Sequence, residues 1–177
     1  MAVISIEAED AIYFWKPHES PFGIFSQWYK GAFKETRPDG IEIAYETAEQ
    51  YMMRKKALLF EDQAIAEQVI RTTDPAEQRR LGRSVRNFDE KIWTNNRLKI
   101  VEEGNYLKFT QDAELKKQLL ETCDMELVEA SPRDRIWGVG FAAEHAPMSR
   151  DRWGQNLLGK ALMSVRKRIS QDEQAAS

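Results

Sequence analysis

Two ionisable residues, Glu49 and Lys56, fall on the apolar face of a helix that the sequence predicts over residues 48–60. At about 100° per residue they share a narrow stripe with Met53 and Phe60, and such a stripe normally faces the core. A charged group in apolar surroundings is costly unless it is paired or functional. A carboxylate and a desolvated amine lining one pocket would form a catalytic pair, and this is the first candidate site.

The same stripe has a structural alternative. The two charged residues are two helical turns apart, so an ion pair would need extended side chains, and Lys56 could instead reach out to solvent. Charges on helix faces are usually structural or solvated, so the spacing alone favours this alternative. Gln50, Arg54 and Lys55 lie on the other side of the helix and are predicted to be solvated. Thr47 is the predicted N-cap, with Gln50 completing a capping-box pattern.

A second candidate cluster is the stretch EASPRDRIWGVG, residues 129–140. Asp134 stands between two arginines, which would keep its carboxylate ionised. Gly138 allows a ligand to approach the backbone closely, and Trp137 offers a flat face for a heterocycle or a ribose. The equally weighted alternative is a turn held by an arginine–aspartate pair.

Three further stretches contain possible binding residues. Trp93 anchors the polar stretch WTNNR and could line a pocket or simply fill the core. Gly23, Phe25 and Ser26 could form a loop over a ligand, or a turn that leads into a strand. Asn156 is predicted at the start of the last helix, where a phosphate could bind, although an ordinary N-terminal turn explains it as well.

The elements that must position these residues form a helix-rich pattern. Helices are predicted over residues 48–60, 61–72, 73–83, 89–109, 112–123 and 152–170, with a frayed tail after them. Short strands are predicted over residues 3–7, 11–15, 23–29, 41–45, 125–130 and 135–140. Strands and helices do not alternate as in a doubly wound sheet, so the fold class is α+β, a helix-rich single domain with a small β-sheet.

The composition of the 177 residues excludes several classes of protein. The net charge is −3, which provides no global attraction for nucleic acid or anionic membranes. Cys123 is the single cysteine and the histidines are His18 and His145, so neither a disulfide nor a Cys₂His₂ zinc site is possible, and no metal site is predicted. No signal peptide or long apolar run is recognisable, so a cytoplasmic protein is expected.

Two local patterns could indicate binding of a nucleotide or of nucleic acid. The stretch GQNLLGK lacks the spacing of a phosphate-binding P-loop, so nucleoside triphosphate hydrolysis is rejected. Arg79, Arg80, Arg83 and Arg86 could form a basic patch for nucleic acid, but a solvated helix face is favoured.

Taken in order, the motifs resemble those of the YbiA-like NADAR family. They are PFGIFSQW, TAEQYMMRKKA, LGR, ASPRDRIWGVG and WGQNLLGKALMSVR. The resemblance extends from Tyr13 to Arg168, and it implies one YbiA-like domain over residues 1–177 with a core of about 12–170. One departure is Gln27, because FSQW replaces the commoner FSNF.

The resemblance implies an N-glycosidase that hydrolyses the N-ribosidic bond of ribosylamino-pyrimidine phosphates, early riboflavin-pathway intermediates, and releases ribose 5-phosphate. Another branch of the family removes ADP-ribose from guanine bases, and a non-catalytic module that binds ADP-ribose or an NAD derivative is a third alternative. The expected partner is therefore a small-molecule N-riboside or an ADP-ribosylated guanine, and nucleic acid only as such a substrate. No metal or redox cofactor is implied.

The resemblance also places Glu49, Lys56, Trp93 and Asp134 in the pocket. In the favoured hypothesis, Lys56 attacks ribose C1 and forms a Schiff base, which water then hydrolyses. Glu49 would shuttle protons or hold Lys56, and Asp134 would position a ribose hydroxyl or assist proton transfer. Trp93 and Trp137 would stack on the base or ribose. In the alternative, Glu49 is the main electrostatic stabiliser and Lys56 is a hydrogen-bond donor.

Overall fold

The computed structural model of the protein describes residues 10–176. Its six α-helices are α1 Ala48–Leu59, α2 Gln63–Arg71, α3 Pro75–Arg83, α4 Glu90–Gln111, α5 Ala113–Glu121 and α6 Leu157–Ala176. Its four strands are β1 Ala11–Phe14, β2 Phe33–Thr36, β3 Glu42–Tyr45 and β4 Glu126–Glu129. The predicted helix-rich α+β fold is confirmed, and the described residues form two sheets of two strands each.

The two sheets have different origins. β2 and β3 are neighbours in sequence and form an antiparallel hairpin, in which Phe33 pairs with Tyr45. β1 and β4 run parallel, with Ala11 opposite Glu126, and so join the start of the described chain to the strand that follows α5. The long connection that a parallel pair requires contains helices α1 to α5. The parallel pair therefore brings β4 against the part of the chain that precedes α1.

Two predicted strands are wrong, and a third lies outside the described residues. Residues 23–29 do not form a strand, because Phe22–Phe25 is a 3-10 helix. Residues 135–140 run without strand pairing, and their carbonyls instead accept backbone hydrogen bonds from residues 154–158. The segment is thereby fixed against the start of α6 as an irregular wall. The strand predicted over residues 3–7 falls before residue 10.

The last helix also differs from its prediction at both ends. A separate 3-10 helix covers Pro147–Arg152, and α6 begins only at Leu157. Its C-terminal part continues to Ala176, so the predicted frayed tail is helical instead. Among residues 10–176, no helix has the length and apolar character needed to cross a membrane.

Helix α1 is buried on nearly every side, contrary to its predicted solvated face. The Oγ1 atom of Thr47 accepts a hydrogen bond of 3.1 Å from the amide of Gln50, which confirms the N-cap. However, Gln50 and Arg54 are buried. Arg54 donates to the hydroxyl of Tyr45 at 2.8 Å, and Lys55 forms an ion pair with a carboxylate on β2. These side chains are covered because α2, α3, α4 and β3 all pack on α1.

The contact between α6 and β4 gives a stability prediction at Gly159. A Cβ atom on Gly159 would overlap the backbone carbonyl oxygen of Leu127 and the amide group of Asn156. Neither group is at the flexible end of a long side chain, so we expect Gly159→Ala to lower the free energy of unfolding by about 2–4 kcal/mol. Urea denaturation measures this change. Gly31→Ala is the control, since its Cβ would meet the flexible side chain of Leu115 at 3.2 Å, and equal losses in both variants would contradict the prediction.

Candidate active site

A cavity of about 380 Å³ lies between α1, α3, the start of α4 and the segment that follows β4. Five of the residues that the sequence suggested as site residues line it together, although they come from distant parts of the chain. They are Glu49, Lys56, Trp93, Asp134 and Trp137. The apolar stripe of α1 thus faces a cavity at the positions where its charged residues occur.

Glu49 is held at the start of α1. Its backbone amide donates to the carbonyl of Gln27 at 2.9 Å, and its side chain is 6% exposed. The pKa of the Glu49 carboxyl is raised to about 7, chiefly by burial and in smaller part by the charge of Asp134. Arg79 and Lys56 act in the opposite direction and favour the carboxylate. At neutral pH, Glu49 can therefore both accept and release a proton.

Lys56 is half-buried two turns further along α1. Its Nζ atom lies 4.4 Å from the ring centroid of Phe88 and 5.4 Å from that of Trp93. Burial lowers the pKa of the Lys56 amine, and the carboxylates of Glu90 and Glu49 oppose this shift. A lowered pKa increases the neutral fraction of the amine, and the neutral amine is the nucleophilic form.

The structure does not support a simple ion pair between the two residues. Within residues 10–176, no hydrogen bond or salt bridge joins the side chains of Glu49 and Lys56, although each influences the pKa of the other. Neither side chain forms a salt bridge with another described residue. Two unpaired ionisable groups therefore face the same cavity, which is the arrangement that a catalytic pair requires.

Asp134 caps a turn at the opposite wall. Its Oδ1 atom accepts hydrogen bonds of 2.8 Å from the amides of Ile136 and Trp137. In the described part of the chain, backbone donors hold this turn, and no salt bridge joins Asp134 to its flanking arginines. The same hydrogen bonds set the position of Trp137, which also lines the cavity.

The other five residues proposed from the sequence do not line this cavity. Gly23 abuts the backbone carbonyl of Pro17, and Phe25 is buried in the core. The hydroxyl of Ser26 accepts from the amide of Trp28 at 3.3 Å. Gly23, Phe25 and Ser26 thus shape the segment before the cavity wall, and the wall itself carries Gln27 and Trp28.

Gly138 and Asn156 support the opposite wall. A Cβ atom on Gly138 would lie 2.7 Å from the carbonyl oxygen of Glu129, so this close approach requires glycine. Asn156 precedes α6 with a positive φ of 50°, and its side chain bonds to β4. Its Oδ1 accepts from the Glu129 amide at 3.0 Å, and its Nδ2 donates to the Leu127 carbonyl at 2.9 Å. Asn156 is therefore connected to the cavity through β4.

Gln27 is a cavity residue at the position where the sequence departs from the common family motif. Its Oε1 atom accepts from the side chain of Asn105 at 2.8 Å. Its Nε2 atom is buried and has no hydrogen-bond partner within residues 10–176. Since a buried donor without a partner is costly, this amide is suited to a polar group of a ligand.

Sequence analysis did not identify Glu129 as a site residue. Glu129 ends β4 and lines the cavity together with Ser131. The pKa of its carboxyl is raised to about 8, chiefly by burial and in smaller part by the nearby charges of Asp134 and Glu49. The sequence feature that could have indicated Glu129 is its position directly after the apolar pair Leu127 and Val128, both of which are fully buried.

The four arginines near α3 are all exposed, as the predicted solvated face requires, but they differ in their partners. Arg80 and Arg86 form salt bridges with Glu77 and Asp62. Arg79 and Arg83 instead line the cavity, and neither forms a salt bridge with a described residue. The guanidinium of Arg79 lies 4.2 Å from the ring centroid of Trp28. Two cationic side chains are thus available at the cavity for an anionic ligand.

Taken together, the cavity combines an amine with a lowered pKa, three carboxyl groups, aromatic walls and two arginines. Carboxyl groups can stabilise or protonate a substrate whose anomeric carbon becomes positive during bond cleavage. The tryptophans provide flat apolar surfaces for a heterocyclic base, and the arginines can bind phosphate. The arrangement therefore suits cleavage of an N-glycosidic bond.

Comparisons with known proteins agree with this chemistry. A profile of the NADAR domain matches residues 13–170. The chain is 43% identical over 171 residues to an N-glycosidase of Acanthamoeba polyphaga mimivirus, covering 94% of this chain and 100% of that protein. It is 31% identical over 166 residues to a riboflavin biosynthesis protein of Vibrio vulnificus, covering 92% of this chain and 40% of the relative. The NMR structure of the E. coli protein YbiA has a TM-score of 0.74 at 27% identity, covering 94% of this chain and 89% of that one.

Proposed function

The chain belongs to the NADAR domain family and is an N-glycosidase, and we propose that it hydrolyses the N-ribosidic bond of ribosylamino-pyrimidine phosphates, early riboflavin-pathway intermediates, to release ribose 5-phosphate. The observation that carries the proposal is the meeting of Glu49, Lys56 and Asp134 at one cavity, where no salt bridge within the described chain occupies Glu49 or Lys56. The name of the Vibrio vulnificus relative supports the choice of substrate.

The size of the cavity supports a small substrate. A volume of about 380 Å³ is at the lower end of the range for small-molecule sites, roughly 300–1,000 Å³. A ribosylamino-pyrimidine phosphate contains one ribose, one ring and one phosphate. An ADP-ribosylated guanine contains three further base rings, a second ribose and a second phosphate, so much more of it would remain outside.

The proposed reaction is covalent. The neutral amine of Lys56 attacks ribose C1, the bond from C1 to the base nitrogen breaks, and its electron pair leaves with the base. Opening of the ribose ring then gives a Schiff base between C1 and Nζ. Water adds to C1, the C1–Nζ bond breaks, and the aldehyde form of ribose 5-phosphate is released. The carboxylate of Glu49 takes a proton from the attacking amine and passes it to the ring oxygen as the ring opens. It later moves the proton of the new C1 hydroxyl to the departing amine of Lys56, and Asp134 holds a ribose hydroxyl.

A substrate comparison by liquid chromatography and mass spectrometry tests the proposal. Wild type and Lys56→Ala are each incubated with the ribosylamino-pyrimidine phosphate and, separately, with ADP-ribosylated guanosine. We expect ribose 5-phosphate from the first substrate, and only with the wild type. Release of ADP-ribose from the second substrate alone would establish the guanine reaction instead. Binding of ADP-ribose by calorimetry without turnover of either substrate would identify a binding module.

The two arginines at the cavity give a prediction about the phosphate. Removing one charge-assisted hydrogen bond costs roughly 1.5–3 kcal/mol, so we expect Arg83→Ala to raise KM for the phosphorylated substrate about 10–100-fold. The KM for the dephosphorylated riboside should change little in Arg83→Ala, because this substrate has no phosphate for Arg83 to bind. Steady-state kinetics on both substrates measure the difference.

Arg80→Ala is the matched control for this experiment. Arg80 belongs to the same helix but its guanidinium is bound to the carboxylate of Glu77, with contacts of 2.7 and 2.6 Å. Its removal should leave KM unchanged for both substrates. An equal rise in KM for both substrates in Arg83→Ala would argue against phosphate recognition.

A further inference from the structure

Glu129 is fixed at the cavity wall by its backbone. Its amide donates to Oδ1 of Asn156 at 3.0 Å, and its carbonyl accepts from the amide of Val139 at 2.9 Å. Gly138 packs directly over the same carbonyl. Since β4 is also paired with β1, the backbone of Glu129 is held from three sides. The direction of its side chain into the cavity is therefore built into the fold.

The side chain of Glu129 has a buried oxygen without a partner. Its Oε2 atom has no hydrogen-bond partner among residues 10–176, and the residue lines the cavity. A buried carboxylate that accepts no hydrogen bond is much less stable than the neutral acid. The neutral acid carries one hydroxyl proton, which it can donate to a ligand in the cavity.

The surrounding charges distinguish Glu129 from Glu49. Five charged groups face Glu129 around the cavity: Glu49 and Lys56 from α1, Arg79 and Arg83 from α3, and Asp134 from the loop after β4. Burial is the main cause of the raised pKa of Glu129, and the charges of Asp134 and Glu49 raise it too. No cation opposes this shift appreciably. For Glu49, both Arg79 and Lys56 favour the ionised form. Nearby cations thus favour ionisation of Glu49 but not of Glu129, and such unequal surroundings are how an acid and a base are separated in one site.

We propose that Glu129 is the general acid of this site and protonates the nitrogen of the departing base. The inference rests on the proposed hydrolysis of an N-riboside. As the bond from C1 to nitrogen breaks, its electron pair stays on the nitrogen and the proton of Glu129 adds to it, so that the base leaves as a neutral amine. The water that later adds to C1 gives up a proton, and this proton restores the acid form of Glu129.

The kinetic test compares Glu129→Gln with wild type across pH. General acid catalysis contributes about 10²–10⁴-fold, so kcat/KM of Glu129→Gln should fall by this factor. In the wild type, kcat/KM should decline as the pH rises through about 8, because the acid form is lost, and Glu129→Gln should lack this basic limb. Glu129→Asp should retain part of the activity and the limb. A wild-type profile without a basic limb between pH 7 and 9 would overturn the proposal, whether or not the variants fold.

Glu126→Gln is the control on the same strand, since the carboxylate of Glu126 is bound to Arg150 away from the cavity. Its kcat/KM and pH profile should equal those of the wild type. If Lys56→Ala loses turnover while Glu129→Gln retains both its rate and the basic limb, the assignment of Glu129 is overturned and the proposed function stands.

A substrate-free measurement separates the two proposals further. In protein labelled with ¹³C at the glutamate carboxyls, the resonance that disappears in Glu129→Gln should titrate near pH 8. A midpoint below pH 5 would show that Glu129 is already ionised at neutral pH, and would overturn the acid role for any substrate. Absence of turnover with every substrate tested would instead overturn the proposed function.

Discussion

Replacing Lys56 by Arg should lower kcat by at least about four orders of magnitude while the protein remains folded. Arginine keeps the positive charge and can still stack against Phe88 and Trp93, but it cannot form a Schiff base. The hydrogen-bonding alternative for Lys56 predicts substantial residual turnover, because a guanidinium also donates hydrogen bonds. Single-turnover kinetics on the ribosylamino-pyrimidine phosphate measure the loss.

Lys55→Arg is the matched control for this substitution. Lys55 is the next residue on α1 but its ammonium is paired with Glu35, away from the cavity. An arginine can form the same ion pair, so kcat should stay at the wild-type value. If Lys56→Arg retained more than about a tenth of the wild-type kcat, the covalent mechanism would be wrong, since the loss of a nucleophile is far more severe.

Glu49→Gln should reduce activity and, at alkaline pH, make the protein more stable. Glu49 carries the proton that Lys56 must lose, so we expect kcat/KM to fall about 10²–10⁴-fold. The stability effect follows from the raised pKa of about 7 in the folded protein, against 4.5 for the ordinary group. A carboxyl with a raised pKa contributes stability that is fully present below about pH 4.5 and is lost as the pH rises through 7.

The amide of glutamine has no such pH dependence. At pH 8 the Glu49→Gln variant should therefore exceed the wild type in free energy of unfolding by roughly 1–3 kcal/mol, and the advantage should nearly vanish at pH 5. Urea denaturation at both pH values measures the difference. Glu114→Gln, in the first turn of α5 on the surface, should change little at either pH. A Glu49→Gln variant that is less stable than wild type at pH 8 would contradict the account.

The sequence predicted the helices well because their signals are local. The predicted cap Thr47 precedes α1 in the structure, and α3 begins within two residues of its predicted start. Predictions failed where tertiary contacts decide the outcome. Arg54 is buried because hairpin β2–β3 covers a helix face that the sequence marks as polar. Residues 135–140 are apolar and rich in glycine like a strand, but their backbone partners belong to the segment before α6.

The sequence predicts those parts of the candidate site where a charged residue falls on the apolar face of a helix. Glu49 and Lys56 were found because charges on an apolar stripe violate a local rule. Glu129 was not predicted because a single glutamate at the end of a short strand is an ordinary pattern. Arg79 and Arg83 could not be distinguished from Arg80, because the difference lies in which side chains find a carboxylate in the folded protein.

Chemical trapping on Lys56 is the decisive test of whether this residue forms a Schiff base with the substrate. Wild type and Lys56→Arg are mixed with the ribosylamino-pyrimidine phosphate in the presence of borohydride, which reduces a Schiff base to a stable amine. Intact-mass and peptide analysis should show one reduced ribose 5-phosphate unit on Lys56 of the wild type, a loss of tryptic cleavage after that residue, and no adduct in Lys56→Arg. Steady product formation by the wild type with no adduct, or an adduct on Lys55 instead, would contradict covalent catalysis by Lys56.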